Sequence, residues 1–339
     1  MTNLDSKESQ TIIKSECLSY MKTMESNSIS AIVTDPPYGL KFMGKDWDHG
    51  IPGIEFWKEA LRISKPGTWM LAFGGTRTYH RLTCAIEDAG WEIRDCIMWM
   101  YGSGFPKGKG CLKPAYEPII LTRKPGCKVS ENFLNIDECR ISVSKEDAKS
   151  MERVNTPGSD RFKCGKFGSS GKDGFGDKNH PYDTSIGRWP ANVILDEESG
   201  AMLDEQTGIL ASRFFYCAKA SSSERNAGLE GMPLKESVYS KNNKSGEGCR
   251  MSDSCIPKAN NHPTVKPIRL MEYLIKLIMP SSGILLDPFA GSGTTILAAK
   301  RLGVEAIGIE LNEEYCEIAR NRLSSFKPDP QMDLFHDQS

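Results

Sequence analysis

The chain has 339 residues, of which 39% are hydrophobic and 26% are charged, a composition typical of a globular protein. Its length exceeds the usual domain size of about 100–200 residues, so we expect a core domain that carries an inserted module. The formal net charge of −1 excludes a strongly basic chain, and any surface for a polyanion must therefore be local.

The sequence predicts neither a targeting signal nor a metal site. Residues 1–10 are polar and no run of about 20 apolar residues occurs, so we expect no secretory signal, no membrane span and a cytoplasmic location. The eleven cysteines form no CxxC pair, and Cys249 and Cys255 are too far apart for a zinc knuckle. Free thiols without a structural metal are therefore expected.

The first part of the chain alternates between strand and helix patterns. A β-branched run at residues 29–33 predicts a buried strand, which stops at a Pro-Pro turn that begins with Asp35. Further strands are predicted at residues 68–73, 92–100 and 116–122, and a helix at 76–88. This alternation predicts an α/β fold.

The middle of the chain, residues 128–261, has a different composition. Gly, Ser, Asn and Lys dominate it, and short strand-like pieces occur at residues 189–195 and 213–218. We interpret this segment as an inserted module with long loops.

Regular patterns return in the last part. A helix with one apolar face is predicted over residues 267–279, followed by a strand at 284–286 and a second helix. A strand at residues 306–309 ends at Glu310, and Asn312 is placed to cap the next helix. These elements make one βαβ unit.

A glycine-rich loop lies between the first strand and the second helix of this last part. Gly291 and Gly293 let a ligand approach the backbone closely, and Glu310 can accept hydrogen bonds from ribose hydroxyls. Nicotinamide, flavin and adenosylmethionine proteins all use such a turn. Ile296 replaces the third glycine of the dinucleotide pattern, and Thr294 replaces the lysine of a triphosphate loop. Both changes argue against a bound phosphate, which leaves S-adenosyl-L-methionine.

The tetrapeptide Asp35-Pro36-Pro37-Tyr38 suits methyl transfer to an exocyclic amine of a base. Such an amine is a poor nucleophile because its lone pair is delocalised into the ring. Hydrogen bonds to the Asp35 carboxylate and the Pro36 carbonyl relocalise that lone pair and stabilise the developing positive charge. The prolines stiffen the loop, and Tyr38 offers a ring face on which an extruded base can stack. The alternative is a structural Pro-Pro turn whose aspartate caps the strand end.

The order of these motifs resembles that of the DNA amino-methyltransferases, in the permuted arrangement that places the catalytic motif before the cofactor motif. Residues 35–38 are similar to the catalytic motif, residues 289–293 to the cofactor loop and residues 262–267 to the family's cofactor segment. Residues 39–44 and 213–217 resemble the phage and prophage branch. The resemblance implies S-adenosyl-L-methionine as cofactor, double-stranded DNA as partner and a bacterial host cell. It is also compatible with a homodimer.

The resemblance implies a fold and its parts. The fold is a Rossmann-like α/β domain, with a mostly parallel seven-stranded sheet and helices on both faces. The expected parts are a catalytic half over residues 1–127, a target-recognition insert over 128–261, a cofactor-binding half over 262–325 and a flexible tail over 326–339.

The resemblance also assigns site residues by position. The catalytic residues are Asp35, Pro36, Pro37 and Tyr38. The cofactor-binding residues are Glu16, Thr264, Lys266, Asp287, Phe289, Ala290, Gly291, Ser292, Gly293, Thr294, Glu310 and Leu311. Glu16 departs from the family, which has Gly-Asp where this chain has Ser15-Glu16, and a surface glutamate is the alternative. Lys266 is expected to meet the cofactor carboxylate, its alternative being an exposed lysine at a helix start.

Adenine N6 is the expected target. Carbon-5 methylation of cytosine needs a cysteine nucleophile, usually in a Pro-Cys pair, and the chain has no such pair. A catalytic motif that begins with aspartate resembles the adenine enzymes more than the cytosine-N4 enzymes, where serine is commoner. Cytosine N4 is the alternative. Rival functions are methylation of a protein glutamine or an RNA base, whose motifs usually begin with asparagine, and a catalytically inactive DNA-binding protein.

A short basic stretch is the candidate for contact with the DNA backbone, because the insert itself is nearly neutral. Its members are Lys107, Lys109, Lys113, Arg123 and Lys124. A set of solvated loops is the alternative.

The polar tail contains two large apolar side chains, Leu334 and Phe335. With Gln331 they resemble the peptide by which bacterial replication and repair proteins dock on the sliding clamp. A tail that folds back on its own domain is the alternative.

Overall fold

The structure is a computed structural model that describes residues 9–40, 50–104, 109–110, 112–126, 133–143, 187–218, 229–230, 260, 262 and 265–326. The strands in these ranges are β1 (Gln10–Lys14), β2 (Ile29–Thr34), β3 (Ser64–Phe73), β4 (Glu92–Met100), β5 (Tyr116–Arg123), β6 (Val193–Asp196), β7 (Tyr216–Ala218), β8 (Ile284–Asp287) and β9 (Glu305–Glu310). The helices are α1 (Cys17–Met21), α2 (Ile54–Ile63), α3 (Tyr79–Asp88), α4 (Glu197–Thr207), α5 (Ile268–Ile278), α6 (Thr294–Arg301) and α7 (Glu313–Ser325).

The predicted alternation of strands and helices is confirmed. The expected cap of α7 is also present, because the Asn312 side chain accepts hydrogen bonds from the backbone N–H groups of Glu314 and Tyr315. In the same ranges, no helix is long and apolar enough to cross a bilayer.

The described strands form one sheet in the order β1-β9-β8-β2-β3-β5-β4-β6-β7. All neighbouring strands are parallel except the pairs that β5 makes with β3 and β4, which are antiparallel. The sheet has nine described strands, two more than the seven expected. The additional strands are β6 and β7, which pair in parallel beyond β4.

Part of the predicted insert joins the same sheet, and its boundary at residue 128 stays a prediction. Strands β6 and β7 lie within the insert predicted over residues 128–261, and they extend the sheet that carries the catalytic motif. Another part of the segment is tied to α5, because the Asn135 amide donates to the carbonyl oxygens of Lys276 and Met279. Strand pairing across a long connection is not visible in the sequence, so the composition alone made the whole segment look separate.

Helices cover both faces of the sheet, as the α/β pattern predicts. Side chains of β3 alternate between the faces, so Met70 and Ala72 pack with α2 and α3 on one side. Leu71 and Phe73 pack with α5, α6 and α7 on the other side. Burial on both faces explains why this strand reads as a continuous apolar run.

The strand ends bring the sequence motifs to one edge of the sheet. Strands β1, β9, β8, β2 and β3 are parallel, so their carboxyl ends meet at an edge that we call the motif edge. Asp35 follows β2 there, and the glycine-rich loop follows β8. Strand β5 runs the opposite way, and Ile119 near its start pairs with Phe73 at the end of β3. Glu117 therefore lies at the motif edge as well.

Candidate active site

The catalytic motif and the glycine-rich loop follow two adjacent strands. Strands β2 and β8 are hydrogen-bonded neighbours. At their ends, the Thr34 hydroxyl donates to Asp287 Oδ1 at 2.8 Å, and both side chains are buried. The first residue of the catalytic motif is thus held beside the start of the loop.

Four side chains form a hydrogen-bonded group that we call the Asp35 cluster: Asp35, Tyr38, Glu117 and Lys266. The Lys266 ammonium donates to Asp35 Oδ2 at 2.6 Å and lies 3.2 Å from Glu117 Oε2. The Tyr38 hydroxyl lies 2.7 Å from Asp35 Oδ1 and 3.0 Å from Glu117 Oε2. The side chain of Lys266 is 7% exposed, whereas those of Asp35 and Glu117 are 19% and 23% exposed. The lysine is therefore buried, whereas both carboxylates are partly exposed.

The charges in the Asp35 cluster fix the protonation of its donors. Burial alone would lower the pKa of Lys266, but the charges of Asp35 and Glu117 and hydrogen bonds to them raise it above its ordinary value. Burial also raises the pKa of the Tyr38 hydroxyl well above its ordinary value, and the two carboxylates raise it further. Lys266 is therefore a cation and Tyr38 a neutral hydroxyl at physiological pH.

Two residues of the Asp35 cluster make contacts that the sequence does not predict. The ammonium of Lys266 is bound to two carboxylates of the protein, and its predicted contact with the carboxylate of the cofactor stays a prediction. Glu117 was not identified at all. Its position depends on the antiparallel direction of β5, which strand propensity does not reveal. The one signal in the sequence is an acidic residue within a basic stretch.

The two prolines and the tyrosine of the catalytic motif are held by packing. Pro36 is buried, and Pro37 and Tyr38 are half-buried. The Tyr38 ring packs against Gly75, where a Cβ atom would lie 3.1 Å from Tyr38 Cδ2. A residue with a side chain at position 75 would therefore crowd the ring.

The glycine-rich loop turns where only glycine fits without strain. Gly291 has φ = 52° and Gly293 has φ = 77°, both in the left-handed region. A Cβ on Gly291 would lie 2.7 Å from His262 Nε2, and one on Gly293 would lie 2.7 Å from the Ala319 Cβ. The loop is thus enclosed by the segment before α5 on one side and by α7 on the other.

A buried arginine holds the loop from α7. The Arg322 guanidinium donates to the Ser292 carbonyl oxygen at 2.7 Å and to the Thr294 hydroxyl at 3.0 Å. Its side chain is almost completely buried. Arg322 does not stand out in the sequence, because an arginine in an amphipathic helix is normally solvent-exposed.

The neighbouring strand end fits a nucleoside. Glu310 Oε2 accepts from the Gly291 N–H at 2.9 Å, and Oε1 accepts from the Asn312 N–H at 2.7 Å. Each carboxylate oxygen retains a further acceptor site for a ribose hydroxyl. Burial raises the pKa of Glu310, and the hydrogen bonds from Asn312 and Gly291 oppose this rise. Leu311 is 63% exposed beside it, where an apolar side chain can cover a ring.

The other predicted cofactor residues differ in their surroundings. Phe289 packs on Phe56 with ring centroids 5.0 Å apart, and Ala290 is buried. Glu16 caps α1, since its carboxylate accepts from the backbone N–H groups of Leu18 and Ser19. Its contact with a cofactor stays a prediction. Thr264 lies outside the described residues.

The basic stretch is divided between opposite edges of the sheet. Lys109 and Lys113 are exposed on the connection between β4 and β5, at the motif edge. Arg123 and Lys124 lie at the other end of β5, since this strand begins near the motif edge and ends at Arg123.

Arg123 is buried and paired with an acid, so its contact with DNA stays a prediction that its position does not favour. Its side chain is 6% exposed, and its Nη2 lies 2.7 Å from Glu92 Oε2. Lys124 is displaced from the motif edge as well, and its ammonium donates to the Ser64 carbonyl oxygen at 2.7 Å. Both residues were grouped with the lysines because they are near in sequence, whereas the length of β5 separates them in space. Lys107 lies outside the described residues, as do Gln331, Leu334 and Phe335 of the tail.

The known proteins that this chain resembles are DNA methyltransferases. The DNA methylase family matches residues 29–321 of this chain. The Type II methyltransferase HpaI of Haemophilus parainfluenzae is 26% identical over 327 residues, which cover 93% of this chain and 74% of that protein. The DNA adenine methyltransferase YhdJ of Escherichia coli is 25% identical, over 93% of this chain and 83% of that protein. Among solved structures, the cytosine-N4-specific PvuII DNA methyltransferase has a TM-score of 0.52 at 16% identity, covers 99% of this chain and 94% of that chain, and shares the fold.

Proposed function

Because the chain belongs to the DNA methylase family, which matches residues 29–321, we propose that it methylates adenine N6 at specific sites in double-stranded DNA. Methyl transfer from S-adenosyl-L-methionine to an exocyclic amine of DNA is the activity of this family. The choice of adenine rests on the aspartate that begins the catalytic motif. The similarity to a DNA adenine methyltransferase over 93% of this chain also supports it.

The observation that carries the proposal is the link between the two motifs. The hydrogen bond between Thr34 and Asp287 holds the strand that ends at Asp35 against the strand that leads into the glycine-rich loop. An amine acceptor and a nucleoside site therefore share the motif edge. This is the arrangement that direct transfer between a cofactor and a base requires.

The protein's residues act on the base rather than on the methyl group. When bound, S-adenosyl-L-methionine supplies an electrophilic methyl group on a sulfonium. The Asp35 carboxylate and the Pro36 carbonyl accept the N–H groups of the amine, which keeps its lone pair off the ring. The Tyr38 ring lies beside Asp35, where a base extruded from the duplex can stack. Asp35 also stabilises the positive charge that develops on nitrogen.

Cytosine N4 is the second candidate. The structural similarity to a cytosine-N4-specific methyltransferase favours it, since the same fold and the same type of amine acceptor serve both bases. The aspartate at position 35 favours adenine over this alternative.

The deciding experiment is transfer of a tritiated methyl group from S-adenosyl-L-methionine to unmethylated duplex DNA. After digestion to deoxynucleosides, the label should be found in N6-methyl-2′-deoxyadenosine; label in N4-methyl-2′-deoxycytidine would replace the proposal by the second candidate. Asp35→Ala should lower kcat by about a thousandfold or more. Cofactor affinity, measured by calorimetry without DNA, should stay within about threefold of wild type. A variant that kept wild-type turnover would remove Asp35 from the mechanism.

A further inference from the structure

Lys266 makes the contact with Asp35 that the proposed reaction gives to the target amine. Its ammonium donates to Asp35 Oδ2 at 2.6 Å, while the Tyr38 hydroxyl lies 2.7 Å from Oδ1. Both oxygens of Asp35 thus have a donor before any base enters. Each oxygen retains a second acceptor site, but the Lys266 cation neutralises the carboxylate, so a base amine gains the full charge of Asp35 only if Lys266 moves away from it.

Glu117 is a second carboxylate to which Lys266 can bind when it leaves Asp35. Its Oε2 lies 3.2 Å from the Lys266 ammonium and 3.0 Å from the Tyr38 hydroxyl. Lys266 can therefore leave Asp35 and remain paired. This matters because its side chain is 7% exposed, and an unpaired buried ammonium is strongly destabilising.

From this geometry we infer that Lys266 is a placeholder for the target amine, and that Glu117 is a positioning residue that binds Lys266 when the base enters. The inference rests on the proposed function, because it needs an amine as the target. The exchange involves hydrogen bonds only. Asp35 gives up an N–H of Lys266 and accepts an N–H of the base, and no proton is transferred between groups.

The charges of the Asp35 cluster explain why Glu117 is needed. Two carboxylates and one ammonium give a formal charge of −1. With Lys266 on Glu117, this charge is concentrated on Asp35, beside the nitrogen on which positive charge develops. With Lys266 on Asp35, the carboxylate is neutralised and a cation opposes the transfer.

A kinetic test uses Glu117→Gln alone and together with Lys266→Met. Glutamine keeps the shape of Glu117 without its charge, so Lys266 should stay on Asp35, and kcat should fall about tenfold while the KM for DNA changes less. Removing the lysine as well should relieve the block, so the double variant should be roughly threefold faster than Glu117→Gln. A double variant slower than Glu117→Gln would overturn the inference, because Lys266 would then assist the transfer.

Urea unfolding without cofactor or DNA tests the shared lysine independently of the reaction. Asp35→Asn and Glu117→Gln each leave Lys266 one carboxylate, whereas the two changes together leave it none. The urea midpoint of the double variant should therefore fall by more than the sum of the single shifts. Adding Lys266→Met removes the unpaired cation and should raise the midpoint again.

Two outcomes of the unfolding series contradict the inference: additive single shifts, or a triple variant no more stable than the double. If the double variant does not fold, the triple variant should still fold, and its failure to do so counts against the inference. The proposed function fails separately. A wild-type protein that methylates no DNA overturns the function and the placeholder role together, whereas an active wild type without rescue by Lys266→Met overturns the placeholder role alone.

Discussion

Thr34 and Asp287 join the two halves of the site through a hydrogen bond of 2.8 Å between a hydroxyl and a buried carboxylate. Thr34 ends β2 directly before Asp35, and Asp287 ends β8 directly before the glycine-rich loop. The Thr295 hydroxyl donates to the other oxygen of Asp287 at 2.5 Å from the first turn of α6. One carboxylate thus sets the spacing among the catalytic motif, the loop and the helix that follows it.

Replacing Asp287 with asparagine should remove part of the pH dependence of stability. Burial raises the pKa of Asp287 from 3.8 to about 6, while hydrogen bonds from Thr295, Thr34 and the Phe289 N–H act to lower it. The folded protein therefore binds this proton more tightly than the unfolded chain does. The resulting stabilisation is complete below the unfolded pKa of 3.8 and is lost as the pH rises through about 6. Relative to Asp287→Asn, wild type should lose on the order of 3 kcal/mol across this window.

Urea titrations of both proteins between about pH 4 and pH 7 measure this difference. Asparagine keeps an oxygen for Thr34 and turns an amide N–H toward the Thr295 hydroxyl, which can accept it. Any cost of that change does not depend on pH, so the difference in pH dependence isolates the charge of Asp287. Stability curves that stay parallel over the whole range would show that the carboxyl does not titrate in this window.

Arg322→Met should weaken cofactor binding. The guanidinium that binds the Ser292 carbonyl oxygen and the Thr294 hydroxyl is lost, which leaves buried acceptors without this donor. The expected cost is about 2–3 kcal/mol of stability, with about a tenfold loss of affinity for S-adenosyl-L-methionine in calorimetry. Arg320→Met is the matched control, because Arg320 lies on the same helix with a side chain that is 48% exposed. Equal losses in both variants would assign the effect to α7 as a whole.

Gly293→Ala should be more harmful than its backbone conformation alone explains. Gly293 and Gly303 have similar φ values, 77° and 69°, so alanine is strained by about 1–2 kcal/mol at either position. Only at Gly293 does the new Cβ meet another atom closely, 2.7 Å from the Ala319 Cβ. Gly303→Ala, where nothing lies within 4 Å, is therefore the control. Adding Ala319→Gly to Gly293→Ala should restore part of the urea midpoint, and the absence of any recovery would contradict the packing argument.

The sequence predicted the residues that follow strand ends better than the residues that meet across the sheet. Local patterns placed Asp35 and Gly291 directly after predicted strands, and a parallel sheet brings such strand ends to one edge. Glu117 and Lys266 reach Asp35 from an antiparallel strand and from the segment before α5, and no local pattern encodes either approach. Arg123 shows the same limit, since its pairing with Glu92 on β4 depends on the register between β4 and β5.

The length of the sheet was also difficult to predict. Strands β6 and β7 are short and lie within a segment rich in Gly and Ser, so they were identified only as strand-like pieces. Their parallel pairing beyond β4 is set by contacts between distant parts of the chain. Recognition of the target by the remainder of residues 128–261 stays a prediction, as does docking of the tail on a sliding clamp.

Lys109 and Lys113 provide the test of where the DNA backbone lies. Both are exposed at the motif edge, whereas Lys124 is at the opposite end of β5. Lys109→Ala with Lys113→Ala should weaken binding to duplex DNA and reduce the slope of log affinity against log salt by about 1–2. Lys124→Ala, the control, should leave the slope unchanged, because its ammonium is bound to the Ser64 carbonyl oxygen far from Asp35. Fluorescence anisotropy of labelled duplex over a series of salt concentrations measures both variants, and a larger effect from Lys124→Ala would place the DNA on the other edge of the sheet.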